Sequence, residues 1–518
     1  MMSSSATGTN TLILSQQVLT LPELIATIFS FMERKHNFQN ALVCRIWSAC
    51  ALGEVWCDVD DFHALLGLLA PLILEDYPNQ KSKYIFSRKP TTAGWQNFDK
   101  YSAFVRVLSY KEVTGKHPLS PHIFADISQT RPRNIILPRL RQLVWDPPDI
   151  QATLGPRMRP VFVLLFLHSE VTSVSITFPD VPTAEPQGST LLQIAARAPN
   201  LDNLTLNTAI SPAWVEIQLC TVISKLPSLK VINLPRGFFT TRIFNTCSRL
   251  PDLHTMDFGF KILTTTRGLD QRPLIPDVFP NGFPVLQRFE LSAGFPDITS
   301  AMNALPAPQM LRYLYLESGH VAAEDIGQLI DHVSSSSKEL RMFIFSAVLP
   351  FGERDINNIP PPVTLRMLKP LTSLPKLIML SLDHATPFAL SLDDIDSLLS
   401  GLPYIVYMTL NTLPKHYEQS QMSLDLLVIA GRRCRWLKKL GVFIDVTLPV
   451  AALSLKALPK YPVLPYLRNL SVGLSVITKE TTRSTALLLS MVIPVTCSIE
   501  FGGRWASPKS QLRSKSIP

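Results

Sequence analysis

The clearest pattern along this chain is a short hydrophobic motif that recurs from Leu137 onward. A leucine-like residue is followed three and five positions later by two more, so the last two alternate with a variable residue. Such alternation is typical of a strand with one buried face, and a proline just before many copies disfavours helix at the entry. The motif occurs twelve times, with first positions Leu140, Val171, Leu201, Leu229, Leu253, Leu286, Leu311, Leu340, Leu377, Ile405, Leu437 and Leu467.

The spacing of these copies predicts a repeat architecture. Successive copies begin 24 to 37 residues apart, which suits one short strand plus one helix. Helical patterns lie between copies, for example in 214–226, 326–333 and 424–430. Because a strand-helix unit cannot bury its apolar edge alone, we expect a solenoid with a parallel sheet inside and helices outside. The alternative is an ordinary two-layer α/β domain with chance motifs, which so steady a spacing disfavours.

A different hydrophobic pattern lies near the start of the chain. Apolar residues from Leu21 to Met32 recur at intervals of three and four, which predicts a helix with one continuous apolar stripe. A polar turn is expected at 33–37, a second helix from Phe38 to Ala49, and a short third turn at 52–59.

These N-terminal helices are unusually hydrophobic for their size. Of the 39 residues from Leu21 to Val59, 23 are hydrophobic, against 46% for the whole chain. So small a unit has too little interior to hide that many side chains. The surplus apolar surface should therefore meet the following domain or a partner.

The N-terminal segment resembles the F-box, a three-helix motif. The resemblance rests on Leu21-Pro22-Glu23-Leu24, then Ile28-Phe29-Ser30-Phe31, then Ala41-Leu42-Val43-Cys44-Arg45 with Trp47, and a closing Val55-Trp56, in that order. It implies binding to a Skp-type adaptor and, through it, to a cullin-RING ubiquitin ligase. The adaptor-binding residues implied are Leu21, Pro22, Glu23, Leu24, Ile28, Phe31, Val43, Cys44 and Trp47. The alternative is a helical cap on the repeats, with the same residues in an internal core.

The repeats resemble leucine-rich repeats of irregular length, with one departure. The usual pattern has Asn or Cys three residues after the second strand leucine, and here these places include Ala209, Gly237, Lys261, Ala385 and Ser475. A ladder of side-chain amides is therefore not expected. The fold predicted is α/β: an N-terminal three-helix F-box followed by an irregular leucine-rich-repeat-like solenoid.

The segment between these regions is expected to be helical. The pattern predicts one short helix over 61–74 and an amphipathic helix from Trp95 to Leu108. The Trp95-x-x-Phe98-x-x-Tyr101 segment, with the Leu-rich link before it, resembles an arrangement in the expanded F-box families of mushroom-forming fungi. The expected division is a disordered lead-in (1–15), F-box (16–60), helical linker and cap (61–136), solenoid (137–506) and loose tail (507–518).

Composition and charge narrow the class of partner. The formal net charge is +9, but basic clusters are isolated and lack the aromatic interleaving of RNA-binding modules, so no nucleic-acid partner is expected. Seven scattered cysteines without a Cys-x-x-Cys pair suggest buried thiols in a reducing compartment. No apolar run is long enough for a membrane span and no secretion signal is recognised. An intracellular location, cytoplasmic or nuclear, is expected.

The sequence offers few groups with catalytic spacing. It contains no phosphate-binding loop, nucleophile elbow or zinc-binding helix motif, so no metal, no cofactor and no enzymatic activity are expected. The densest basic group surrounds Trp436. It either binds an acidic or phosphorylated substrate segment or forms a solvated helix end, and it comprises Arg432, Arg433, Arg435, Lys438 and Lys439.

Together these patterns predict a substrate-recognition subunit of a Skp-cullin-F-box type ubiquitin ligase. The F-box would bind the adaptor, and the solenoid would bind a protein substrate of unknown identity. One alternative is an F-box scaffold in a non-ubiquitin complex. Another is an enzyme within the solenoid, which the lack of a convergent polar cluster in the sequence disfavours.

Overall fold

The structure is a computed structural model. It describes residues 21–76, 81–111, 116–147, 159–179, 187–259, 273–277, 281–319, 321–347, 359–416, 420–447, 463–475 and 478–501. The expected lead-in (1–15) and tail (507–518) lie outside these ranges. The chain divides into two compact units, Met1–Ile210 with Trp214–Leu229 and Ser211–Ala213 with Lys230–Pro518. The domain boundaries proposed from the sequence stay a prediction.

The structure contains α-helices, short 3-10 helices and strands. The α-helices are Pro22–Ser30 (α1), Arg34–Asn40 (α2), Arg45–Cys57 (α3), Phe62–Gly67 (α4), Thr92–Ser102 (α5), Pro121–Thr130 (α6), Gln187–Arg197 (α7), Glu216–Ser224 (α8), Thr241–Cys247 (α9), Phe295–Asn303 (α10), Ala323–Ser336 (α11), Leu365–Leu368 (α12), Leu392–Ser400 (α13), Asp425–Arg433 (α14) and Lys479–Val492 (α15). The 3-10 helices are Pro160–Leu165, Pro212–Trp214, Pro308–Met310 and Lys369–Ser373.

The strands are short. They are Asp58–Val59 (β1), Leu72–Glu75 (β2), Lys83–Phe86 (β3), Val107–Tyr110 (β4), Gln142–Trp145 (β5), Ser173–Thr177 (β6), Asn203–Asn207 (β7), Val231–Leu234 (β8), Thr255–Phe258 (β9), Arg288–Ser292 (β10), Tyr313–Glu317 (β11), Met342–Ser346 (β12), Met379–Asp383 (β13), Tyr407–Leu410 (β14), Lys439–Val442 (β15), Asn469–Gly473 (β16) and Ser498–Phe501 (β17).

The first unit contains a parallel sheet and a small hairpin. Strands β1, β4, β5, β6 and β7 pair side by side in that order, all parallel. Strands β2 and β3 form a separate antiparallel pair. Helices connect the parallel strands, as such crossovers require.

The second unit repeats one arrangement throughout. Strands β8 to β17 pair in chain order, and every pair is parallel. Corresponding motif residues face one another; Leu314 of β11, for example, pairs with Phe343 of β12. The predicted α/β solenoid of strand-helix repeats is thus confirmed as the fold.

All twelve predicted motif copies form strands, β5 to β16. Burial explains the pattern in β7, where Leu204 and Leu206 are buried, whereas Asn203, Thr205 and Asn207 are partly exposed. In β11 all five residues are buried. The leucine positions therefore build the core between sheet and helices.

A further copy escaped the sequence analysis. The helix predicted from Trp95 to Leu108 ends at Ser102, and Val107–Tyr110 is a strand between β1 and β5. Val105, Leu108 and Tyr110 have the motif's spacing of three and five, and all are buried. Helical periodicity upstream masked this signal, and pairing with two strands decided the conformation.

The N-terminal helices have other boundaries than predicted. The expected polar turn at 33–37 is largely the helix α2, and the expected helix from Phe38 to Ala49 is interrupted by a turn at 41–44. The expected third turn belongs to the long helix α3, followed by β1. Partner strand β4 extends residues 58–59 into the sheet, a contact that local propensity does not encode.

The helix expected over 61–74 is also shorter. It covers only Phe62–Gly67, where the Asp61 carboxylate accepts a hydrogen bond from the Ala64 amide (3.2 Å). Leu72–Glu75 is instead a strand of the hairpin. The segment 61–136, expected to be a helical linker and cap, thus also contains the strands β2, β3 and β4.

The cysteines are less buried than expected. Only Cys247 and Cys434 are buried, Cys44 is exposed, and the other four are intermediate. All seven thiols are free.

Among the described residues, none of the helices is both long and apolar enough to cross a membrane.

An asparagine at the end of one strand bonds to main-chain groups of the neighbouring repeat, as the amide ladder of leucine-rich repeats does. Asn411 follows β14, is buried and has a φ of 48°. Its Oδ1 accepts from the His384 amide (3.1 Å) and its Nδ2 donates to the Thr386 carbonyl (2.5 Å). Ser475 acts similarly, its Oγ accepting from the Ile444 amide (2.9 Å). Ser475 stands at one of the usual positions and forms its bond with a hydroxyl, whereas Asn411 forms its bonds from outside that position.

We expect Asn411→Ala to weaken the β13–β14 region. The change removes two side-chain bonds and leaves the buried His384 amide unpaired, at a cost of about 2 kcal/mol. Amide hydrogen exchange of residues 379–384 should accelerate about thirtyfold. Asn469→Ala is the control, because its side chain makes a bond to Ser498 Oγ at an exposed site. Equal exchange rates in the two variants would contradict this role of Asn411.

Candidate docking surface

The first helix carries two apolar stripes. Leu21 is the extended residue before α1, and its carbonyl accepts from the Ile25 amide (3.1 Å), while Pro22 occupies the first turn, where an amide would have no helical partner. One stripe, Ile25 and Phe29, is buried.

The buried stripe packs on α3. Ile25, Phe29 and Ala51 form a small core, with Trp47 and Cys50 against it. The Trp47 ring meets the Phe29 ring edge-on, with centroids 5.4 Å apart. Trp47 is half-buried, and its contact with Phe29 stabilises the packing of the three helices.

A buried asparagine that the sequence analysis missed holds α2 against α1. Asn37 donates from Nδ2 to the Phe29 carbonyl at the end of α1 (2.9 Å), and its Oδ1 accepts from Asn40 (3.2 Å). The polar residues around Asn37 in the sequence predicted a solvated turn, so its role in packing α2 is visible only from its burial. The bond satisfies one of the last carbonyls of α1.

The second stripe and the turns remain exposed. Phe31 and Leu42 are each 87% exposed, and Val43 is 61% exposed. We call the exposed large apolar residues of α1 to α3 the apolar surface; they are Leu21, Leu24, Ile28, Phe31, Met32, Phe38, Leu42, Val43 and Ile46. Single exposed apolar residues are common, but so many on one small module indicate a contact surface.

The residues predicted to bind an adaptor divide into two groups. Eight are exposed: Leu21, Pro22, Glu23, Leu24, Ile28, Phe31, Val43 and Cys44. Trp47 lies half-buried in the core of the module. Exposure of the eight argues against the alternative in which these residues fill an internal core. Their binding to an adaptor stays a prediction.

Charged groups of the module pair with one another. Arg34 contacts Asp60 (2.7 Å) and Lys35 contacts Glu33 (2.7 Å). Exposed pairs of this kind contribute roughly 0 to 1 kcal/mol each. They do not account for the apolar surface.

The structure separates the predicted basic group. Arg433 makes two hydrogen bonds to Asp396 (2.7 and 2.6 Å), which lowers the pKa of that carboxyl. Lys439 lies in β15, where burial lowers its pKa. Arg432 and Arg435 are exposed, and Lys438 is partly exposed. The five cations therefore do not act as one site, and substrate binding by them stays a prediction.

A polar cluster that the sequence analysis missed lies on β9 and β10 with β11. Arg288 contacts Glu290 and Asp257 and lies over the Tyr313 ring, 3.7 Å from its centroid. Burial, followed by the charge of Glu290, raises the pKa of Tyr313. These residues come from neighbouring parallel strands, so their convergence depends on strand pairing.

A second ion pair lies close to this cluster along the chain. Arg236 contacts Glu317 (3.0 Å), whose carboxylate also accepts from the Tyr315 hydroxyl (3.2 Å). Each carboxylate has a partner, and a tyrosine whose pKa is raised stays protonated. The arrangement is that of a largely buried ion-pair network, in which Arg236 Nε and Arg288 Nε form no hydrogen bond. In the described part of the chain, no group of three or more His, Cys, Asp or Glu residues is placed to hold a metal ion.

Comparisons with known proteins identify no family. No protein-family model matches the chain, and no curated protein does. Among solved structures, the chain resembles a chain of the Rad7 and Elc1 complex in yeast, with 14% identity and a TM-score of 0.37. The match covers 68% of this chain and 85% of that chain. We therefore base the proposed function on this chain's own residues.

Two aromatic residues of the module should respond differently to truncation. Trp47→Ala removes packing against Phe29 and should destabilise the three helices by about 2 kcal/mol. Phe31→Ala should change stability by less than about 0.5 kcal/mol, because the ring is exposed. Amide exchange in α3 measures both effects. Similar destabilisation by the two variants would mean that Phe31 supports the fold.

Proposed function

We propose that this chain is a substrate-recognition subunit of a Skp-cullin-F-box type ubiquitin ligase. The observation that carries the proposal is the apolar surface on a module whose own core is already complete. Five of its nine residues are among those that the F-box resemblance assigns to the adaptor contact, namely Leu21, Leu24, Ile28, Phe31 and Val43. The adaptor would cover Leu24, Ile28, Phe31 and Val43.

The energetic reason for such a contact is burial of apolar area. Removing apolar surface from water yields about 25 cal/mol per Å², and a few well-buried side chains dominate most interfaces. Phe31 is the most exposed large apolar residue of α1 and the turn that follows it. It is our choice for the central contact.

The repeat region would bind the substrate. Strand-helix repeats present long, extended surfaces on which successive repeats contribute side chains at equivalent positions. The chain itself would carry out no chemistry. Its contribution would be proximity, which brings substrate lysines close to a ubiquitin-charged enzyme held elsewhere in the complex.

The adaptor contact can be tested without disturbing the core. Phe31→Asp with Val43→Asp should reduce binding of a Skp-type adaptor by at least about tenfold, because it places charge in an apolar interface. Ile217→Asp on α8 is the matched control, since Ile217 is an exposed apolar residue outside the module (63% exposed). Pull-down of purified full chain with adaptor measures the effect. Recovery of adaptor by both variants alike would refute the assignment.

A second experiment separates the ligase from the scaffold hypothesis. Under proteasome inhibition, proteins recovered with the wild-type chain should carry ubiquitin, and the Phe31→Asp, Val43→Asp variant should lose this enrichment. Mass spectrometry of both samples gives the comparison. Adaptor recovery without any difference in ubiquitylated proteins would instead support a scaffold in a non-ubiquitin complex.

A further inference from the structure

Three repeats of the second unit share one turn with an exposed aromatic residue. The turns before β14, β15 and β16 are closed by equivalent bonds, Ile405 N to Leu402 O, Leu437 N to Cys434 O and Leu467 N to Leu464 O, all 3.2 Å. The residue just before the first motif position is Tyr404, Trp436 or Tyr466. We call these three residues the aromatic row.

The aromatic row is exposed to solvent. Tyr404 is 64% exposed, Trp436 is 55% exposed and Tyr466 is 51% exposed. Trp436 and Tyr466 stack, with centroids 5.3 Å apart and ring planes at 21°. Strand register explains this stacking, because Lys439 pairs with Asn469 three residues further on in each repeat. Trp436 and Tyr466 thus form an apolar rib across two adjacent repeats, and Tyr404 occupies the equivalent position in the repeat before them.

Cations lie beside this rib at another shared position. Lys438 and Arg468 directly follow the first motif residues of their repeats, and Arg435 precedes Trp436. We call Arg435, Lys438 and Arg468 the basic flank. The Arg468 amide donates to the Lys438 carbonyl (2.8 Å), and the Lys438 amide donates to the Val406 carbonyl (2.8 Å). Main-chain hydrogen bonds therefore hold the flank in one file.

The basic flank has no acidic partner among the described residues. The nearby Arg433 is neutralised by Asp396, whereas Arg435, Lys438 and Arg468 form no ion pair there. Arg435 and Arg468 are exposed. Free guanidinium and ammonium groups on residues close in sequence to exposed aromatic rings suit a ligand with negative charges near an apolar side chain.

The stacking geometry favours a peptide over a nucleic acid. Proteins that bind single-stranded nucleic acid offer free ring faces to successive bases. Here Trp436 and Tyr466 cover one face of each other, so fewer ring faces are free for successive bases. A peptide side chain can pack along the edges of the rib.

We propose that the aromatic row and basic flank bind an acidic peptide segment with at least one apolar side chain. The negative charge comes from Asp and Glu or from phosphorylated residues, which present the same anionic oxygens. The proposal rests on the proposed function, because this segment would be the recognition signal of the protein substrate. It adds the chemical class of that signal and its place in the solenoid.

Selection of peptides by the purified full chain tests this directly. Immobilised protein is incubated with a displayed library of short random peptides, and the bound pool is sequenced. We expect Asp and Glu enriched several-fold over Lys and Arg, together with an apolar residue. A synthetic consensus peptide should bind the Lys438→Glu, Arg468→Glu variant at least about tenfold more weakly, and Trp436→Ala should also weaken binding.

The residues that directly follow the first motif position in other repeats offer a matched control. Arg312 and Arg341 occupy the same repeat position just before β11 and β12 and are exposed. At normal strand spacing the nearer of them, Arg341, lies about 14 Å from Lys438. Arg312→Glu with Arg341→Glu makes the same change of net charge. It should alter peptide binding less than twofold. An equal loss in both double variants would show attraction by net charge alone and overturn the proposed site.

Further binding measurements test which groups of the peptide supply the negative charge and whether a nucleic acid competes. The consensus peptide is also made with phosphoserine, and with Gln and Asn, in place of its acidic residues; the neutral form should not bind. A bound pool without acidic enrichment would overturn the proposal, as would a uridine oligonucleotide that binds in a Trp436-dependent manner. Adaptor binding is unaffected by these variants, so failure here is distinguishable from failure of the proposed function.

Discussion

Register between parallel strands is the constraint on which this protein depends. Within each unit, neighbouring strands of the parallel sheet hydrogen-bond to each other, so the leucine positions of successive repeats meet and form the core, as Leu314 and Phe343 do. Only the strands need to keep this register. The connecting segments can therefore vary in length, which accounts for repeat spacings of 24 to 37 residues without loss of the fold. The same pairing also aligns side chains that point away from the core.

The N-terminal module obeys a different constraint, which is its small interior. Two apolar stripes share α1, but α3 has room to cover only one, the stripe of Ile25 and Phe29. Asn37 and Trp47 complete the interior of the module, and Leu24, Ile28 and Phe31 stay exposed to solvent. The free energy lost by this exposure is recoverable only by contact with another surface. Burial of these exposed side chains by a partner is therefore the physical basis of the proposed docking.

The two proposed binding surfaces use different chemistry and belong to different units of the chain. The apolar surface around Phe31 offers almost no charge to a partner, so its contact would be driven by burial. The aromatic row with its basic flank combines ring edges with free cations, so its contact would depend on ionic strength. By contrast, the buried charges around Arg288 are matched among themselves. Their pairing accounts for the strong local charge within the fold.

Sequence alone determined the strands, because the motif is local: a residue such as Leu204 is buried or exposed according to its alternation with immediate neighbours. It also revealed the hydrophobic surplus of the N-terminal helices and the eight exposed residues of the predicted docking face. Tertiary structure alone decided which α1 stripe is buried, that 107–110 is a strand, and that Trp47 supports the module from within. It also decided that Tyr404, Trp436 and Tyr466 line up and that Asp257 meets Arg288. These outcomes depend on partners roughly 30 residues away in sequence, and local periodicity carries no information about such pairing.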